Sequence, residues 1–141
     1  MSVLVVDVAN VMGSRPDGWW RDRAGAATRL LDQLAALPGT TIEGPDGTPV
    51  SVAGVVAVVE GAAKKAAPDD GTPEGLRVVQ APGSGDDALV DEVAGLAADG
   101  TDLLVVTADR GLRARLPEEA GIAGPGWLRD RLDGMAEEAT G

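Results

Sequence analysis

Asp7 directly follows the apolar run Val3–Val6, Glu60 directly follows Val52–Val59, and Asp109 lies just past Leu103–Thr107. The pair Asp86-Asp87 follows a further run, Leu76–Val79, and opens a helix-like stretch. If the runs are strands of a parallel sheet, chemistry sits beyond their carboxyl ends. Asp7, Glu60, Asp86, Asp87 and Asp109 would then converge on one edge. Carboxylates gathered this closely repel unless some hold protons or a cation lies among them. The chain has no His and no Cys. Imidazole and thiolate ligands are therefore excluded, and an all-oxygen donor set suits Mg²⁺ or Mn²⁺ rather than Zn²⁺. Two such ions about 4 Å apart can clamp an in-line phosphoryl displacement, which needs several carboxylates and little else.

Each acid also has a plain structural role available. Turns favour polar residues at strand ends. Asp86 can cap the following helix, and Ser84 with Asp87 resembles a capping box. The case rests on coincidence of position, not on any single acid. Asn10, three residues past Asp7, is placed to orient a phosphate or a bound water, or to satisfy a local turn. Cations cluster behind the acids: Arg15, Arg21 and Arg23 after the first run, Lys64 and Lys65 after the second, Arg110 and Arg113 after Asp109. They form a candidate rim for substrate phosphates. Arg21 and Arg110 stand out because a helix N-terminus disfavours cations. Trp19 sits in the first loop of this edge, where it can stack on an unpaired base or cover the core beside Trp20. Trp127, within GPGWL, reads as packing.

The elements that must position these residues follow from apolar spacing. Val3–Val6, Val52–Val59, Leu76–Val79 and Leu103–Thr107 read as buried parallel strands, with a short fifth strand at Ile122. Helices are expected over Arg21–Leu37, where Ala27, Leu30, Leu31 and Leu34 recur at helical spacing, and over Asp86–Ala98, Arg110–Leu116 and Gly126–Met135. A loop is expected after the first strand, one or two helical turns over Ala62–Ala67, a hairpin-like insertion near 40–51 around Asp46-Gly47, and a frayed tail from about residue 136. Strand–helix alternation predicts an α/β fold: one three-layer α/β/α domain over residues 1–141 with a mostly parallel sheet and right-handed crossovers.

The chain is 141 residues long, enough to bury a core. With aromatics at 2%, Val, Leu, Ile and Ala must fill it. The net charge of −11 argues against a broadly basic nucleic-acid binder, but leaves room for a local cationic rim. MSVLVVDVAN lacks the basic lead of a signal peptide, and no apolar run nears the ~20 residues of a membrane span. A cytoplasmic location and no membrane partner are expected.

The segments VDVAN, VVEG, GDDALVDEV and VVTADRGLR, in this order, resemble the NYN branch of the PIN-like nucleases, which includes the YacP-like proteins. The resemblance spans nearly the whole chain through short motifs. It implies strand order 3-2-1-4-5 and Mg²⁺- or Mn²⁺-dependent cleavage, mostly of RNA, and allows a homodimer, since many relatives pair. By the same likeness Asp7, Asp87 and Asp109 match the catalytic acidic core, Asn10 the asparagine of the first motif, and Asp86 a position that is often acidic. Three positions depart from the pattern. Glu60 replaces the usual Asp of the second strand, Gly111 stands where several relatives carry a second Asp, and Ser84 where the 5′-nuclease relatives carry an acid.

Two other classes compete. A non-catalytic PIN-like module that binds RNA or protein is compatible with the acidic balance and the missing ligands. A dinucleotide-binding protein is suggested by Gly83-Ser84-Gly85-Asp86-Asp87-Ala88, which fits G-x-G-x-x-A, with Asp109 at the expected distance. That reading sets two carboxylates where a pyrophosphate needs bare amides. A haloacid-dehalogenase-type phosphatase is disfavoured by Ala9, and a receiver domain by the lack of an acidic pair after the first strand.

Overall fold

The computed structural model describes residues 2–14, 21–60, 75–81 and 85–140, without the side chains of Arg23 and of 136–140. Strand β1, Ser2–Asp7, is central. It pairs in parallel with β3, Pro49–Val59, on one side and with β5, Asp102–Val106, on the other. Beyond β3 lies β4, Leu76–Gln80, and beyond β5 lies β6, Gly121–Ala123, both parallel. Counted without the hairpin strand, these five lie in the order 3-2-1-4-5. The sheet departs from that simple pattern through β2, Thr41–Glu43, which runs antiparallel to the front of β3 and makes the sheet six-stranded and mixed.

Alternation along β1 explains the layers, because successive strand side chains point to opposite faces. Leu4 and Val6 face one core with helix α1 (Val8–Met12), α2 (Arg23–Leu34) and α5 (Pro125–Thr140). Val5 faces the other, with α3 (Gly85–Ala98) and α4 (Arg110–Ala114). Both cores are aliphatic, as the scarcity of aromatics requires. Trp127 packs against the first core, and its Nε1 donates to the Glu43 carbonyl at 2.9 Å, tying α5 to β2. No helix among the described residues is long and apolar enough to cross a membrane.

Three expectations are corrected. The loop after β1 begins as a helix: Asp7 caps α1, which is too short to show periodicity. The hairpin is not a separate insertion, because its second arm is the front of β3; Asp46 closes the turn by accepting from the backbone and hydroxyl of Thr48 at 3.0 and 2.7 Å. Helix α5 runs to Thr140, beyond the expected helix end at Met135, since Ala136–Ala139 are good helix formers with no breaker among them. The expected turns at Ala62–Ala67 lie outside the described residues.

Gly75 opens β4 with φ +89°, and its carbonyl accepts from Val55 N–H at 2.8 Å. A Cβ there would stand 2.6 Å from Pro38 Cβ, whereas at Gly100 (φ +76°) it would meet nothing within 4 Å. Gly100→Ala should cost only the left-handed strain, roughly 1–2 kcal/mol. Gly75→Ala should cost clearly more in the same urea titration. Equal losses would show that Pro38 yields freely.

Candidate active site

Parallel strands end on one edge, so the residues after β1, β3 and β5 are neighbours. Asp7 ends β1 and accepts from Asn10 N–H at 3.3 Å and from the Thr107 hydroxyl at 3.2 Å. Glu60 follows β3 and accepts the N–H of Gly85, the first residue of α3. Asp109 follows β5, accepts from Leu112 N–H at 3.1 Å, and so caps α4. Each of these three carboxylates thus sits on the N-terminal amides of a helix, where negative charge is favoured.

Thr107 joins two of the acids. It is wholly buried, and is the only buried polar residue among those described. Its hydroxyl donates to Asp7 and accepts the Asp109 N–H at 3.2 Å. Its own N–H reaches the Ala123 carbonyl at 3.0 Å. Its carbonyl takes both Nε and Nη2 of Arg113, at 3.2 and 2.8 Å. Asn10 adds a second tie, since its side-chain oxygen accepts Ala108 N–H at 2.8 Å. That oxygen therefore locks the turn after β5 onto α1 rather than facing a ligand.

The charges act on one another. Asp7 has its pKa raised, first by burial and then by the charges of Asp86 and Glu60, against the pull of its two hydrogen-bond donors. Asp86 is raised too, first by desolvation, then by Asp109 and Glu60; Arg115 draws it down and Asp87 adds a smaller push. Asp7, Glu60, Asp86 and Asp109 therefore form one electrostatic group.

Asp87 does not stand with them. Its side chain is 77% exposed and pairs with Arg115 Nη2 at 2.8 Å. Neighbouring residues on a helix point about 100° apart, so only one of Asp86 and Asp87 can face the strand ends, and it is Asp86. Arg21, Arg110 and Arg113 are all exposed, and of these Arg113 reaches the site, through the Thr107 carbonyl. Arg15, Trp19 and Lys64 lie outside the described residues. Sequence reasoning passed over Thr107 and Arg115. A hydroxyl between two strand-end acids was the available signal for the first; nothing local marked the second.

All four clustered acids offer hard oxygen donors suited to Mg²⁺ or Mn²⁺. As placed, no three Asp or Glu among the described residues share a metal-sized sphere. The reason is visible in the hydrogen bonds, since Asp7, Glu60 and Asp109 are each turned onto an amide. A cavity of about 350 Å³ between β2 and α5, lined by Thr41, Glu43 and Arg131 among others, shares no residue with this edge. The Gly85 amide, which a bound pyrophosphate would need, is already taken by Glu60. That weighs against the dinucleotide reading.

No family model matches the chain, and no curated protein matches it in sequence. Among solved structures it is similar to a mutant of Rae1 (YacP) from Bacillus subtilis, with a TM-score of 0.70 and 16% identity over 98% of this chain and 79% of that one. The likeness is one of fold.

The raised pKa of Asp7 sets a sign. A carboxyl that is harder to ionise when folded favours the folded state at low pH, and that contribution is lost as pH rises through the folded pKa. With a chelator present, Asp7→Asn should therefore raise the melting temperature at pH 7, since Asn loses the charge, keeps an oxygen for the Asn10 N–H, and can donate its amide to the Thr107 hydroxyl in place of accepting from it. The gain should vanish as pH falls through the ordinary carboxylate range. A melting temperature lowered at pH 7 would show that the charge of Asp7 stabilises the fold.

Proposed function

We propose that this chain is a divalent-metal-dependent ribonuclease that hydrolyses RNA phosphodiesters by water attack at the acidic edge. One observation carries the reading. Asp7, Glu60, Asp86 and Asp109, from separate parts of the chain, converge at the strand ends, where burial first and their mutual repulsion second raise the pKa of Asp7 and of Asp86. Such crowding disfavours the empty site and favours a cation within it. The fold likeness to Rae1 (YacP) agrees with the motif resemblance to the YacP-like branch.

In this reading Asp7, Asp86 and Asp109 hold Mg²⁺ or Mn²⁺, with Glu60 added when it leaves the Gly85 amide. A bound ion lowers the pKa of water and steadies the leaving oxygen. The chain itself supplies orientation. Thr107 fixes the spacing of Asp7 and Asp109, Asn10 fixes the turn that carries Asp109, and Arg113 holds the end of β5 while adding positive charge beside the acids. Asp87 belongs to the rim. Arg110, Arg21 and, from the segments outside the described residues, Arg15, Lys64 and Trp19 are the candidates for gripping the RNA strand beyond it.

A second reading is favoured by a specific observation: no three acids share a metal-sized sphere as they stand. It is a PIN-like module that binds RNA or protein without cutting.

Cleavage of single-stranded and structured RNA in millimolar Mn²⁺ separates the two. The wild type should cut, and Asp7→Asn and Asp109→Asn should each lose roughly a hundredfold or more in rate with the fold intact. Variants that cut as fast as wild type would place the activity elsewhere. Mn²⁺ should also raise the melting temperature of the wild type. At a hundred times its Kd the ion adds about 2.7 kcal/mol, a shift of several degrees. A shift without cleavage would select the binding module, and no shift would remove the metal site.

A further inference from the structure

Arg115 ends α4 at the margin of the acidic group, on the same short helix that Asp109 caps. Its Nη2 meets Asp87 Oδ1 at 2.8 Å, with side chains 47% and 77% exposed respectively. An ion pair this exposed adds little to the stability of a fold, so it makes a poor clamp between α3 and α4. Its chemistry suits another task. A guanidinium presents a planar fork that matches two phosphate oxygens at once. A carboxylate oxygen held by one nitrogen of that fork marks where a diester oxyanion would lie.

From this geometry we infer that Arg115 is a substrate-binding residue of the acidic edge, gripping a backbone phosphate of the RNA once that phosphate displaces the Asp87 carboxylate.

The inference rests on the ribonuclease reading and deepens it by assigning a residue that contacts the substrate backbone. The charge balance requires such a residue. The chain carries −11, and a polyanion approaching four carboxylates needs a cation close by to offset their repulsion. Arg113, on the same helix, is committed to the Thr107 carbonyl through two of its nitrogens. Arg115 pairs with Asp87, the residue next to Asp86, and follows the helix that Asp109 caps, so a phosphate held there is next to the reacting edge. Asp87 then keeps the fork oriented while no substrate is bound, and yields because the pair is weak.

The test uses the full chain carrying Asp7→Asn, so that RNA is held and not consumed, with millimolar Mn²⁺ and a labelled single-stranded RNA oligonucleotide read by fluorescence anisotropy. Adding Arg115→Gln should weaken binding about tenfold and reduce the slope of log K against log salt by about 0.7, the value for one single-strand phosphate contact. Adding Asp87→Asn, which breaks the same ion pair from the other side, should leave binding as tight or a few-fold tighter. If both substitutions weaken binding alike, the pair merely fixes α3 against α4 and the inference fails. If Arg115→Gln binds as its parent does, the inference fails while cleavage by the wild type still upholds the ribonuclease reading. A parent chain that binds no RNA in any salt overturns the inference as well, and the ribonuclease reading is then decided by cleavage with the wild type alone.

Discussion

Negative charge converging on the end of a sheet costs free energy, and the way that cost is offset organises this molecule. Asp7, Glu60 and Asp109 each leave the end of a parallel strand and accept amides at the start of a helix, α1, α3 and α4 respectively. The amide donors and the aligned peptide dipoles stabilise the charged forms. They do so incompletely, because burial and mutual repulsion still raise the pKa of Asp7 and of Asp86 from its ordinary value. The edge is therefore tolerable as it stands, at a remaining electrostatic cost. The same amides that make it tolerable hold the carboxylates apart, short of a common coordination sphere. Any ion must compete with Gly85, Asn10 and Leu112 for their oxygens.

The sheet supplies the convergence. Because β1, β3 and β5 run parallel, their carboxyl ends meet, and because β1 is paired on both sides, Asp7 lies between the other two. Helices on both faces shield the strands from water, which is why the first strand could be almost entirely apolar. Thr107 is the one buried polar residue among those described. A lone hydroxyl at such a place is costly unless it both donates and accepts. Here it does both, so its presence and the spacing of Asp7 and Asp109 are one constraint. Arg113 extends that constraint to the backbone of the strand end. Of the arginines of the α4 region, Arg113 thus has an inward partner, the Thr107 carbonyl, and Arg115 an outward one, Asp87.

Much of this was legible in the amino-acid order. Continuous β-branched runs marked the parallel strands, because a strand buried on both faces has no polar alternation. The recurrence of Ala27, Leu30, Leu31 and Leu34 marked α2, and the position of each acid at the end of a run marked the edge. Asp46-Gly47 marked a turn between β-prone arms, although it could not say that the second arm would merge with the long β3. Helix α1 was hidden, since five residues carry no period. Asp86 could not be told from Asp87, because a helix start is known to within about a residue from sequence while facing changes by about 100° with each step. Asn10 looked like a ligand or a turn residue; its partner, Ala108, is far away in the chain.

Composition and local pattern alone determined the chemistry that is available: hard oxygen donors, no imidazole or thiolate, an aliphatic core and strands that place acids at their ends. These depend on residue types and on neighbours a few positions away, which the chain states directly. Only the tertiary structure decided which acid of the α3 pair faces the strand ends, that Thr107 bridges Asp7 and Asp109, that Glu60 is engaged by the helix opposite, and that Arg115 rather than Arg110 lies against the margin of the group. Those facts depend on distances between segments brought together by packing, and packing is set by the whole core at once.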